Sequence, residues 1–274
     1  MPAWAADPFR QGNQSRPIKP ETTAVFQALF QRGHYTEGRQ LLPQALSADK
    51  QEPLTTTLAG TIAYLDGDMT AVNRYGTQTE QLGASLMLRD PLRGNLYQAV
   101  GKAMQAAFDV SDAGSGKVLG VPLALLKVQE SMQFLERARA VNANDPELNL
   151  LQGYIEWALS SNLGLFSPEQ ARQRLETLAA PNYLSLRGVA LVLRDQKKND
   201  AALTAVDQAL QTAPDNPELL FLKAQILRGA QRNAEGLKVI EQALARQEQL
   251  PQPIVREMLR LQKRIQASLQ SGQP

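Results

Sequence analysis

Two stretches of the chain repeat one another at a fixed offset, and that offset limits the fold more than any other feature. Set side by side, residues 183–216 and 217–251 keep residue types 34 positions apart: Ala190 and Ala224, Leu193 and Leu227, Leu186 and Leu220. Leu203 and Leu237, Val206 and Ile240, and Ala209 and Ala243 follow the same offset of 34, and Ala202 meets Gly236. Within each copy the leucines and isoleucines recur at i, i+3 and i+4, which is a helical stripe and not a strand alternation. The alanines mark where two backbones approach closely. Each copy therefore reads as two antiparallel helices, a unit too small to bury its own apolar face and stable only when stacked.

The joints carry the same message. Asn199-Asp200 and Gln231-Arg232-Asn233 are turn sequences between paired helices. Asp215-Asn216-Pro217-Glu218-Leu219 joins one unit to the next, with Asn216 as N-cap and Pro217 at the first helical position. The same joint stands earlier as Asn144-Asp145-Pro146-Glu147-Leu148. It predicts a helix over 122–141 as the second member of an earlier pair, with 92–110 as the first. Residues Ser111–Val121 are then expected as a long, Gly-rich mobile loop, and Ser160–Phe166 as a second extended turn folding Leu163, Leu165 and Phe166 back onto apolar surface. Ser167-Pro168-Glu169-Gln170 reads as a capping box. Further pairs are expected at 20–32 with 36–47 around Gly33-His34-Tyr35, and at 53–65 with 70–88 around Asp66-Gly67-Asp68. Ile254, Met258, Leu261, Ile265 and Leu269 form one stripe on a last helix that caps the stack.

A period of about 34 residues is that of the tetratricopeptide repeat, or TPR. The predicted fold is an all-α, TPR-like α-solenoid of about six helix pairs and a C-terminal capping helix. Its expected divisions are an extended N-terminal arm (1–19), divergent pairs (20–91), divergent pairs with long inserts (92–180), two regular units (181–250) and a cap with tail (251–274). The chain also resembles a group of TPR proteins found mainly in cyanobacteria. The resemblance is carried by Asp7-Pro8-Phe9-Arg10, by Asp90-Pro91-Leu92-Arg93-Gly94-Asn95-Leu96-Tyr97, by Pro146-Glu147-Leu148-Asn149-Leu150-Leu151 and by Tyr183-Leu184 with Arg187-Gly188. It implies export and brings no activity with it.

Composition narrows function by exclusion. The 274 residues include no cysteine and one histidine, which leaves no thiolate or His-rich metal site. A formal charge of +2 lacks the basic footprint of a nucleic-acid binder. No apolar run reaches the length of a membrane span. Gly114-Ser115-Gly116-Lys117 evokes a phosphate loop, but position 111 is Ser and position 118 is Val, so the first glycine and the magnesium-binding hydroxyl are missing. His34 has no orienting partner beyond Glu37, and Asp66 and Asp68 lack the remaining ligands of a calcium loop. No cofactor, metal or catalytic constellation is expected, and the chain reads as a binding scaffold and not an enzyme.

In a TPR stack the first helix of each pair lines the binding wall. The candidate groove is Tyr154, Trp157, Arg187, Leu191, Arg194, Phe221, Gln225 and Arg228, with Leu184 beside them. Arg194 and Arg228 are 34 apart and are expected to act together on an acidic protein or peptide ligand. Gly188 and Leu222 stand where the carboxylate clamp of chaperone-binding TPR domains would need polar side chains. Ala3-Trp4-Ala5 has the small-x-small form of a signal-peptidase site before Ala6, which points to the periplasm or thylakoid lumen, with assembly or maintenance of a larger complex as the matching role. A cytoplasmic adaptor is the alternative address, and a hydrolase hidden on a helical scaffold the alternative activity.

Overall fold

The computed structural model describes residues 7–164 and 166–271, and among these it contains helices and turns without a strand. Thirteen α-helices follow in chain order. They are α1 Pro20–Phe26, α2 Tyr35–Ala48, α3 Pro53–Asp66, α4 Met69–Leu86, α5 Pro91–Asp109, α6 Gly116–Val141 and α7 Pro146–Leu163. Then come α8 Pro168–Thr177, α9 Asn182–Asp195, α10 Asn199–Thr212, α11 Pro217–Gly229, α12 Asn233–Leu244 and α13 Gln252–Gln270. A π-helical turn, Gln27–Gln31, continues α1. Read in order, α1 to α12 make six helix–turn–helix segments and α13 follows them, so the all-α TPR-like solenoid expected from the repeat is the fold observed.

The chain divides into two compact units, Met1–Phe26 with Arg39–Leu151, and Gln27–Gly38 with Gln152–Pro274. In the first, α3, α4, α5 and α6 pack each on the next. In the second, α8 to α13 do the same. The repeat alanines Ala190, Ala209, Ala224 and Ala243 are fully buried there, as the 34-residue spacing requires. Leu227, Ile240, Met258 and Ile265 fill the space between α11, α12 and α13, so the last helix does close the stack.

The starts of α3, α5, α7 and α11 share one device. Glu52, Asp90, Asp145 and Asn216 each precede a proline and each accept a backbone N–H of the first helical turn. Proline fits there because that position has no intrahelical N–H bond to lose. Ser167 also precedes a proline but makes no side-chain cap bond, so the expected capping box does not form.

The two long loops expected from sequence are shorter than predicted. α6 begins at Gly116 and runs straight through Pro122, leaving only a tight turn after Asp109. Gly120 explains the early start: a Cβ there would lie 1.8 Å from the carbonyl oxygen of Asp109, so only glycine lets α6 cross the end of α5 at backbone contact. Lys127 Nζ donates to Asp109 Oδ2 at 2.6 Å and Ser131 Oγ to the carbonyl of Ala99 at 2.9 Å, which fixes the crossing. Likewise α7 continues to Leu163, so the first part of the second insert is helix, which ends at Gly164 with φ +65°. Phe166 is half-buried, while Leu165 and the Leu163 side chain lie outside the described residues, as does Ala3-Trp4-Ala5.

Candidate functional site

The predicted groove lies in the second unit, on the wall formed by α7, α9 and α11, and its members touch in sequence. Tyr154 Oη donates to the carbonyl of Leu184 at 2.7 Å. Trp157 Nε1 donates to Asp195 Oδ2 at 3.0 Å, and Arg194 holds Asp195 Oδ1 through Nε and a terminal nitrogen at 3.0 and 2.7 Å. The other terminal nitrogen of Arg194 donates to Gln225 Oε1 at 2.6 Å. Trp157, Asp195, Arg194 and Gln225 therefore form one polar track from helix to helix. A cleft of about 490 Å³ opens beside it, walled by Trp157, Ser160, Ser161, Val192, Asp195 and Gln196.

The other half of the wall is filled by the chain itself. The turn after the π-helical segment brings Tyr35 against α11, where its Oη donates to Glu218 Oε2 at 2.8 Å. Arg187 approaches the second oxygen of Glu218 at 3.6 Å. Burial and then Glu218 push the Tyr35 phenol well above its usual range, which keeps it a neutral donor. Burial alone would lower the Arg187 pKa, but Glu218 and Tyr154 outweigh it, and the guanidinium stays charged. Gly33 has φ +63° and a Cβ there would sit 2.8 Å from both Asn216 Oδ1 and Pro217 Cδ, so the turn is seated on the α11 cap. Asn216 Nδ2 answers by donating to the carbonyls of Phe30 and Gln31 at 3.0 and 3.2 Å.

This sorts the predicted residues. Tyr154 and Arg187 are half-buried in the half that Tyr35 covers. Leu184 and Leu191 are buried and serve the core and not a binding surface. Trp157, Phe221 and Gln225 are half-buried, and Trp157 and Gln225 lie on the polar track of the open half. Arg194 and Arg228 differ despite their common offset: Arg194 is half-buried and spent on Asp195 and Gln225, whereas Arg228 is exposed. The repeat matched their backbone positions, but Asp195 has Gly229 at its equivalent, so Arg228 lacks the neighbouring carboxylate.

The largest polar cluster was not singled out by sequence, although the quoted segments supply it. In the first unit Arg10, Arg93, Glu52, Asp145 and Glu147 meet at the N-terminal ends of α3, α5 and α7. Arg10 reaches Asp145 at 2.7 Å and Glu147 at 2.8 Å. Arg93 reaches Glu52 at 2.6 Å and Glu147 at 2.9 Å. Tyr97 Oη donates to Glu147 Oε1 at 2.6 Å, and Asp7 holds Arg10 at 3.2 Å from within the N-terminal arm. All six charged groups are buried, with four carboxylates to two guanidiniums. The surplus negative charge is met by backbone N–H groups and by three helix N-termini, whose partial positive charge favours it. Burial acts to raise the Glu147 pKa, but Arg93, Arg10 and Tyr97 bring it down to about 2. At Glu52 burial wins over Arg93 and the pKa is raised. Each charged group has a partner inside the cluster, which makes it a structural anchor for the arm, and Glu52 and Arg93 also border a cleft of about 330 Å³ with Arg16, Asp49 and Asp90.

No family model matches the chain, and no curated protein does. Among solved structures, a thermophilic TPR protein of Thermus thermophilus is similar at 18% identity and a TM-score of 0.48, covering 71% of this chain and 91% of its own. The TPR2AB domain of yeast Sti1 in its pHSP90 complex is similar at 14% identity and a TM-score of 0.39, covering 90% and 97%. Among the described residues no group of His, Cys, Asp and Glu could hold a metal ion. No described helix is long and apolar enough to cross a membrane.

Proposed function

We propose that this protein is a TPR-type protein-interaction scaffold, and that its ligand docks on the open half of the α7–α9–α11 wall. The observation that carries this is the contrast along one wall: Tyr35 fills one end, while the Trp157 cleft, Gln225 and Arg228 stay accessible. Trp157 supplies an aromatic anchor beside a carboxylate–guanidinium pair, the residue types that dominate binding hot spots. Arg228 is the cationic donor for an acidic group on the ligand, since Asp195 already neutralises Arg194. An extended peptide or a helix could lie along such a wall. Export is the address that fits Ala3-Trp4-Ala5, and a repeat array without catalytic motifs in the sequence fits a role in assembling or maintaining a larger complex outside the cytoplasm.

The test is crosslinking of the native protein in periplasmic or lumenal extract, followed by capture with wild type, Trp157→Ala and Arg228→Ala. Loss of the captured partner in both variants is the expected result, at unchanged thermal stability for Arg228→Ala and at a cost of about 1 kcal/mol or more for Trp157→Ala, which also gives up its bond to Asp195. Capture that survives both substitutions removes the open half-groove as the site. N-terminal sequencing of the native protein checks the address, with a start at Ala6 as the expected outcome.

A further inference from the structure

Close to the turn of the α5–α6 hairpin, the first half of α6 forms an apolar tip that the groove does not use. Twelve large hydrophobic residues are exposed among the described residues, and six of them, Val118, Leu119, Val121, Leu123, Leu125 and Leu126, fall within nine positions of α6. Val118 is 87% exposed and Leu119 is 71% exposed. No charged residue lies between Val118 and Leu126. At about 100° per residue, the exposed side chains cover roughly 200° of the helix circumference. The narrow remainder, Gly120, Ala124, Lys127 and Ser131, faces α5.

We infer that this tip inserts shallowly into a lipid bilayer surface. A helix apolar around most of its circumference belongs either in a protein core or in a membrane. A single partner helix or groove would cover one side of so wide an arc and leave the rest in water. A second copy is disfavoured by area, because nine residues of one helix offer well short of the about 800 Å² per partner that a stable dimer buries. The stretch is about 13 Å long, less than half of the about 30 Å hydrocarbon layer, so it reaches into one leaflet and does not span. At its base the charges are already matched: the buried Asp109 carboxylate holds the Lys127 ammonium at 2.6 Å, which suits a low-dielectric boundary. Asp112 and Lys117 flank the stretch with opposite charges and leave no net charge, so attachment is driven by apolar burial and not by headgroup charge.

Co-flotation of the full chain with phosphatidylcholine vesicles tests this. The wild type is expected to float, equally with and without added phosphatidylglycerol and at low and high salt. V118Q/L119Q should lower the partition by more than about tenfold, since each change removes apolar area from the inserted face. Leu88, fully exposed and at the opposite end of α5, provides the control: L88Q should float like the wild type. L119W gives a reading independent of the double variant's folding, as its added fluorescence should shift to the blue on mixing with vesicles. A wild type that stays with the lipid-free fraction overturns the inference. So does equal flotation of V118Q/L119Q, equal loss in L88Q, or an unshifted L119W spectrum. A wild-type dimer in sedimentation that V118Q/L119Q splits would assign the tip to self-association and overturn it as well.

Discussion

The joints that open α7 and α11 are written almost identically, as Asp145-Pro146-Glu147-Leu148 and Asn216-Pro217-Glu218-Leu219, yet they are finished differently. At both, the first residue caps the helix and the glutamate sits in the first turn. Glu147 is fully buried and receives Arg93, Arg10 and Tyr97. Glu218 is half-buried, receives Tyr35, and meets Arg187 only at 3.6 Å. The local motif fixes the cap and the direction of the carboxylate. Remote segments decide whether that carboxylate becomes a sealed ionic anchor or one edge of an open wall. In the first unit the arm residue Arg10 completes the seal, while in the second the turn at Tyr35 covers one end of the wall and leaves the Trp157 side free.

Removing the glutamates should separate the two joints most widely. Glu147→Ala takes one shared carboxylate from two buried guanidiniums and leaves the buried Tyr97 hydroxyl without its acceptor, while Arg10 keeps Asp145 and Arg93 keeps Glu52, and it is expected to lower unfolding free energy by about 3 kcal/mol. Glu218→Ala releases a tyrosine hydroxyl and a long ion pair within reach of water, at about 1 kcal/mol. Urea denaturation with coincident probes measures both. Equal losses would mean that the two joints are energetically the same and that the burial difference carries no weight.

The helical architecture was legible because it is local and repeated. The alanine and leucine positions at 34-residue spacing report packing between chain neighbours, and cap–proline starts mark helix beginnings without any tertiary knowledge. The ionic anchor was not legible because its members are 135 and 137 residues apart, as in Arg10 to Asp145 and Glu147, and no local period links them. The same holds for Tyr35 and Glu218, which are 183 apart. The matched Glu147 and Glu218 were visible in the repeated joint, but as first-turn helix acids and not as tertiary acceptors. The start of α6 was missed because Gly114-Ser115-Gly116 and Pro122 are strong local breakers, whereas the close crossing at Gly120 is a tertiary contact.

Acid should act through Glu147. Its pKa in the folded chain, about 2, lies below its ordinary 4.5, so its contribution is complete above about pH 4.5 and is lost as pH falls through 2. A shift of this size corresponds to stability on the order of 3 kcal/mol. Glu52, raised by burial, works in the opposite sense and softens the net slope. Unfolding free energy measured from pH 5 to pH 2 should therefore fall more steeply in the wild type than in Glu147→Gln. Parallel curves would place the acid-sensitive group elsewhere.

The tyrosines sharpen the contrast at single hydroxyls. Tyr97→Phe removes a 2.6 Å bond to a fully buried carboxylate, at an expected cost of about 2 kcal/mol. Tyr35→Phe removes a 2.8 Å bond to a half-buried one, where water can substitute, at about 1 kcal/mol or less. A larger loss at Tyr35 would show that the seal over Glu218 is tighter than the exposure of its side chain implies.

The smallest effect is expected where the repeat predicted equality. Arg194 and Arg228 hold equivalent places in consecutive units, and a purely local reading assigns them one role. Arg194 is built into the protein: it holds Asp195, which in turn accepts the indole of Trp157, and it reaches α11 through Gln225. Arg194→Ala should therefore loosen the Trp157 side of the wall and cost about 1 kcal/mol, partly screened by its exposure. Arg228→Ala should change stability by less than about 0.5 kcal/mol, as surface substitutions outside such networks do. Its effect should be on ligand capture alone. Thermal melts of the two variants, run beside capture of the crosslinked partner, decide the matter. If Arg228→Ala destabilises as much as Arg194→Ala, then Arg228 is structural too, and the open half of the wall loses its charged contact for an acidic ligand.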